Sequence, residues 1–197
     1  MAKSAAKQLN TVRINAGSWR SRLIKFPDAE GLRPTPERVR QTLFNWLGQD
    51  LTGLRCLDLF AGTGVMGFEA LSRGASAVTM VEKSSLACAA LHANKTLLNA
   101  TAASIVQQDA LQFLAQNSQQ YHLIFLDPPY NQAWLAQVMP QLASGLHADG
   151  RLYVEAEFAL DEALQADSQP YLAGWQVLKQ SKAGNVFYHL LKLAKIE

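Results

Sequence analysis

From residue 54 onward, short apolar runs rich in β-branched residues alternate with segments whose apolar positions recur every three or four residues. The runs predict strands at 54–59, 76–82, 103–107, 121–126 and 150–156. The periodic segments predict helices over 65–73, 84–98, 110–116 and 132–144. Strands alternating with amphipathic helices imply crossover connections and a mainly parallel sheet. Near the end, Trp175–Ser181 and Val186–Leu193 flank Ala183-Gly184-Asn185 and predict an antiparallel hairpin, which brings the sheet to seven strands.

Ahead of residue 54 the pattern differs. Residues 11–15 and 19–26 have β character around the turn-like Asn15-Ala16-Gly17-Ser18 and predict a small hairpin, closed by Pro27 and the loop through Pro36. A helix follows from about Glu37 to Gly48, with Val39, Leu43, Phe44 and Leu47 on one face. The expected organisation is a basic tail and hairpin extension over 1–36 and an α/β domain over 37–197.

Charge sharpens this division. The net charge of +2 is unevenly spread: residues 1–40 hold nine Lys or Arg against three acids, and the remaining 157 residues hold nine against thirteen. A solubilising tail would have this composition, but so would a footprint for a phosphate backbone, where clustered cations bind by releasing counterions. On the second reading Arg13, Arg20, Arg22, Arg33, Arg38 and Arg40 contact RNA. Cys56 and Cys88 fall inside apparent elements and read as small buried hydrophobes, and His92, His122, His147 and His189 lack metal-ligand spacing. No apolar run has the length of a membrane span or a signal peptide, so the expectation is a cytoplasmic, metal-free protein.

Asp58-Leu59-Phe60-Ala61-Gly62-Thr63-Gly64-Val65-Met66-Gly67 runs from a strand into a glycine-rich turn that opens a helix. Gly62-x-Gly64-x-x-Gly67 matches the dinucleotide fingerprint, with Glu82 at a following strand end. Alone it suits a nicotinamide enzyme. Asp58 points elsewhere, because a carboxylate in the mouth of the cleft repels pyrophosphate. It suits S-adenosylmethionine, which carries an ammonium and a sulfonium there. Glu82 would accept the ribose hydroxyls and Asp109, after the third strand, would face the adenine amino group. Phe60, Ala61 and Thr63 in the turn, Lys83 beside Glu82 and Ala110 beside Asp109 complete the candidate cofactor site.

The second motif, Asp127-Pro128-Pro129-Tyr130, directly follows the apolar run Leu123-Ile124-Phe125-Leu126. Two prolines stiffen the backbone, remove two donors and leave carbonyls free to accept. An exocyclic base nitrogen is a poor nucleophile because its lone pair is delocalised into the ring. Accepting its hydrogens on Asp127 and the Pro128 carbonyl would localise that lone pair with little reorganisation. Tyr130 offers an aromatic face for the extruded base.

The two motifs resemble those of nucleic-acid amino-methyltransferases. Arg33-Pro34-Thr35, Arg38-Val39-Arg40, Phe44-Asn45-Trp46-Leu47 and Glu69-Ala70-Leu71-Ser72-Arg73-Gly74-Ala75 narrow the resemblance. Over roughly residues 11–193 the chain is similar to the bacterial 16S rRNA guanine-N2 methyltransferase family of the RsmD type. That resemblance implies a Rossmann-like class I methyltransferase fold and methyl transfer from S-adenosylmethionine to N2 of one guanine in 16S rRNA. It implies action on the 30S subunit or its assembly intermediate and a cofactor role for the Arg33-Pro34-Thr35 segment; a monomer is expected. Thr63 stands where the family commonly has Ser and keeps the hydroxyl. An adenine-N6 enzyme is the nearest alternative; it usually needs a recognition domain for which this chain has little room.

Overall fold

The computed structural model describes residues 9–130, 133–165 and 168–194; the predicted helix start at Gln132 and most of the tail lie outside them. The chain runs β1 (Leu9–Arg13), β2 (Leu23–Pro27), α1 (Glu37–Leu47), β3 (Arg55–Asp58), α2 (Val65–Ser72), β4 (Ala77–Glu82), α3 (Ser85–Leu98) and β5 (Ala103–Gln107). It continues through α4 (Ala110–Gln116), β6 (Tyr121–Leu126), α5 (Trp134–Gly145), β7 (Leu146–Ala156), α6 (Leu160–Gln165), a 3-10 turn at Pro170–Leu172, β8 (Trp175–Ala183) and β9 (Val186–Leu193). Seven strands form one sheet in the order β5-β4-β3-β6-β7-β9-β8. The first five are parallel, and β9 pairs antiparallel with both β7 and β8.

This order creates the site. From β3 the chain moves outward through β4 and β5, then returns to β6 on the other side of β3. Connections from β3 and β6 therefore diverge and leave a crevice beyond the carboxyl ends of these strands. The central strands are buried on both faces, as parallel strands between helices must be. Along β6, Leu123 and Phe125 join the core beneath α1, α2 and α3, whereas Ile124 and Leu126 join the core against α5.

The N-terminal hairpin packs on the helical layer. Ile14 and Ile24 are fully buried in the core shared with Phe44, Phe68 and Leu91. Asn94 of α3 accepts from the Lys25 amide at 2.9 Å and donates to its carbonyl at 2.7 Å, so it substitutes for a strand partner along β2. The hairpin loop spans 14–22, longer than the four-residue turn expected, with β1 and β2 displaced outward to match. Its backbone is diverted to α2: the Ser18 amide donates to the Ser72 carbonyl at 2.7 Å and the Trp19 amide to Ser72 Oγ at 2.9 Å. Gly17 passes so close that a Cβ would stand 1.8 Å from that carbonyl oxygen.

Arg40 corrects one expectation outright. It is 1% exposed and meets Glu69 at 3.2 Å, and Arg73 meets the other Glu69 oxygen at 3.2 Å. Arg40 also donates to the Arg13 carbonyl at 3.0 Å, Glu69 accepts from the Asn15 amide at 2.6 Å, and Arg73 stacks over Phe44. Arg40 is thus a structural cation joining hairpin, α1 and α2, and it is unavailable to RNA. Cys56 and Cys88 are buried free thiols.

Candidate active site

Asp58 ends β3 and Asp127 immediately follows β6, its neighbour in the sheet, so the two signature motifs meet across the crevice. Asp58 is buried and Oδ2 accepts from the Gly67 amide at 3.0 Å. The bond fixes the start of α2 against the end of β3. The glycines in the turn have separate reasons. Gly62 and Gly64 have positive φ, and at Gly64 a Cβ would lie 2.3 Å from Leu91. Gly67 is helical and allows α2 to sit directly on Met80 of β4, where a Cβ would come within 2.9 Å.

Glu82, at the end of β4, accepts from the Gly62 amide at 2.9 Å and from the Ser84 amide at 2.7 Å, one through each oxygen. It therefore shapes the turn, and each oxygen keeps a second lone pair for a ligand hydroxyl. Asp109 caps α4 by accepting from the Leu111 amide at 3.0 Å, and Lys83 reaches it at 3.2 Å from a largely exposed position. Ala110 is buried beneath, and Phe60 packs edge-on against Trp134 with ring centroids 5.1 Å apart. Ala61 and Thr63 are buried within the turn.

Around the second motif, Thr35 is buried and its hydroxyl donates to Asp127 Oδ2 at 3.4 Å. Pro128 is buried, Pro129 is exposed, and the Tyr130 ring is 40% exposed at the mouth. The Tyr130 hydroxyl donates to Glu155 Oε2 at 3.3 Å, and the Tyr153 hydroxyl donates to Glu155 Oε1 at 2.7 Å. Sequence inspection missed Glu155. The signal was present as a carboxylate at the end of a strand, in the same relation to the sheet as Asp58, Glu82, Asp109 and Asp127.

The crevice concentrates acidic side chains. Burial pushes Asp58 up to about 7 against the pull of the Gly67 amide, and the Glu82 carboxylate adds to the rise. Asp127 is raised well above the usual carboxylate range by desolvation, then by Glu155 and Asp58. Glu155 is raised by burial, which outweighs its two tyrosine hydrogen bonds. No cation contributes to any of these shifts. The donor set accordingly fits a cationic ligand. Among the described residues no group of His, Cys, Asp and Glu has a metal-holding arrangement.

Of the predicted RNA contacts, Arg13, Arg20, Arg22, Arg33 and Arg38 are exposed. Arg13 donates to the Ser21 carbonyl at 3.0 Å and Arg22 to the Leu97 carbonyl at 2.9 Å, which stiffens both side chains without hiding them. Arg13, Arg20 and Arg22 lie on the hairpin, Arg33 in the loop that follows it and Arg38 on α1.

A seven-stranded sheet of this order, with a glycine-rich turn and acids at its switch point, defines a Rossmann-like methyltransferase. The family model described as conserved hypothetical protein 95 matches residues 12–192. The chain belongs to this family, together with the bacterial ribosomal RNA small subunit methyltransferase D proteins. It is 39% identical over 181 residues to the ribosomal RNA small subunit methyltransferase D of Escherichia coli strain K12, covering 91% of this chain and 88% of that one. The Haemophilus influenzae protein of the same name is 39% identical over 185 residues, covering 91% and 92% of the two chains. The solved structure of a candidate methyltransferase from Escherichia coli superimposes with a TM-score of 0.81 at 34% identity, over 93% of this chain and 98% of that one.

Proposed function

We propose that this chain transfers a methyl group from S-adenosylmethionine to the exocyclic N2 of a guanine in 16S rRNA. The relatives' names support a ribosomal RNA substrate. The observation that carries the chemistry is Asp127 beside Asp58 across the switch point, with the Tyr130 ring open at the mouth. Asp58 and Glu82 would hold the cofactor's ammonium and ribose, with the turn from Phe60 to Gly64, Lys83, Asp109 and Ala110 around the rest. Thr35 would reach this site through Asp127. When bound, S-adenosylmethionine supplies a methyl group activated by its sulfonium.

The residues of the chain then do three things. The cleft's acids lose their protons more readily once a positive charge lies among them, so Asp127 becomes the carboxylate that can accept a hydrogen bond. Asp127 and the Pro128 carbonyl accept from the guanine amine and localise its lone pair, from positions fixed by β6 and two prolines. Tyr130 stacks on the extruded base, a contact worth roughly 1–3 kcal/mol. Arg13, Arg20, Arg22, Arg33 and Arg38 bind phosphates, with substrate choice coming from RNA shape and the hairpin. The partner is the small subunit or its assembly intermediate, met by a cytoplasmic monomer. No helix among the described residues is long and apolar enough to cross a membrane.

The test is methyl transfer from labelled S-adenosylmethionine to small subunits from a strain lacking this protein, followed by nucleoside analysis. N2-methylguanosine is expected. N6-methyladenosine would keep the mechanism and overturn the substrate. The Asp127→Ala variant should lose turnover and bind the cofactor as the wild type does; equal turnover would remove Asp127 from the chemistry.

A further inference from the structure

The methyl-transfer motif supplies Tyr130, but nothing within the motif fixes where its ring points. Pro129 and Tyr130 are exposed, and a tyrosine at the rim of an open cleft has rotamers to lose on stacking with a base. The restraint comes from another strand. Glu155, at the end of β7, is 5% exposed and accepts the Tyr130 hydroxyl at 3.3 Å through Oε2. Its other oxygen accepts the Tyr153 hydroxyl at 2.7 Å, and Tyr153 is itself fully buried between Phe125 and the β9 side of the sheet.

The chain of contacts is therefore Phe125, Tyr153, Glu155, Tyr130, running from the rigid centre of the sheet to the rim. A carboxyl taken out of water is retained at a cost, and here its two hydrogen-bond donors are phenols, with no Lys or Arg paired to it among the described residues. One of those phenols belongs to the only aromatic ring of the Asp127–Tyr130 motif.

We propose that Glu155 is a positioning residue: it anchors the Tyr130 hydroxyl to the sheet through Tyr153 and so holds the ring in the plane on which the target base stacks. This rests on the assignment of Asp127–Tyr130 to the target base. Glu155 acts on the base through the Tyr130 hydroxyl; the charge it also sets beside Asp127 is removed, with the acceptor kept, in Glu155→Gln. Pre-ordering the ring lowers the entropy lost when the base is seated, so its effect falls on the rate of the bound complex.

The experiment is a double-mutant cycle on kcat for small subunits, with cofactor affinity measured on every variant. Glu155→Ala and Tyr130→Phe should each lower kcat about ten-fold, the scale of one lost hydrogen bond to a charged group. The double variant should be no slower than the worse single one, because both remove the same link. Glu155→Gln, which keeps an acceptor, should recover most of the rate. Cofactor affinity near wild type in all variants shows that the fold is intact. Multiplying losses in the double variant would overturn the proposal, as would a Glu155→Ala loss accompanied by equal loss of cofactor affinity. Wild-type transfer abolished by Asp127→Ala tests the underlying assignment separately, so the two can fail independently.

Discussion

Replacing Asp58 with asparagine should stabilise the cofactor-free protein and at the same time remove its hold on the cofactor. Burial lifts this carboxyl from 3.8 to about 7. At about 1.36 kcal/mol per unit, keeping it ionised in the folded state costs on the order of 4 kcal/mol above neutral pH. The sign follows from proton uptake. Between 3.8 and about 7 the folded protein holds a proton that the unfolded chain has released, so wild-type stability declines as pH rises through that window and levels off above it. Asparagine keeps an acceptor for the Gly67 amide, now 3.0 Å away, and has no charge to bury. A net gain of about 2–4 kcal/mol at pH 8 allows for the weaker neutral hydrogen bond, and corresponds to roughly 5–15 °C in Tm at this chain length. The gain should shrink toward pH 4. Circular-dichroism melts of both proteins from pH 5 to 8, with and without S-adenosylmethionine, provide the assay. The cofactor should raise the wild-type Tm and leave the variant where it was. A variant less stable than wild type at pH 8, or a gap that does not change with pH, would refute the electrostatic account of the crevice.

Two further outcomes follow from the hairpin and its anchorage. Glu69→Ala leaves Arg40 and Arg73 facing one another without a carboxylate and should cost about 3–5 kcal/mol in denaturant unfolding; a loss below about 1 kcal/mol would mean the triad does not hold the layers together. Substituting Arg20 and Arg22 together with Ala should weaken RNA binding and reduce the slope of log K against log salt by about 0.7–0.9 per lost phosphate contact. An unchanged slope would return the N-terminal charge to a solubilising role.

Most of the sheet was legible because parallel strands are dense in apolar and β-branched residues, and the runs at 76–82, 103–107 and 121–126 have no other reading as short as a strand. The two motifs were legible for the same reason, since each sits where such a run ends. Arg40 was misread through its charge, although helical spacing puts it on the stripe of Leu43, Phe44 and Leu47; Glu69, which also pairs with Arg73 one turn on, is the partner that permits its burial. The hairpin loop was misjudged because its backbone donors are spent on α2, a contact between residues 53 or 54 positions apart that no local pattern encodes. The short helix α6 was not anticipated either. Its N-terminal Leu160 amide is accepted by the neutral imidazole of His189, which burial pushes down to about 4, and that partner lies on the last strand.

The position of β9 also bears on how the molecule is made. Although it comes last in sequence among the described strands, β9 is not an edge strand but an interior one, with β7 on one side and β8 on the other. Until residues 186–193 emerge, β8 has no neighbour and Leu152–Ala156 of β7 presents an unpaired apolar edge. A nascent chain stalled before β9 emerges is thus exposed to sticking to other chains. Glu155 lies within that edge, so the acceptor of the Tyr130 hydroxyl is set only when β9 pairs with β7.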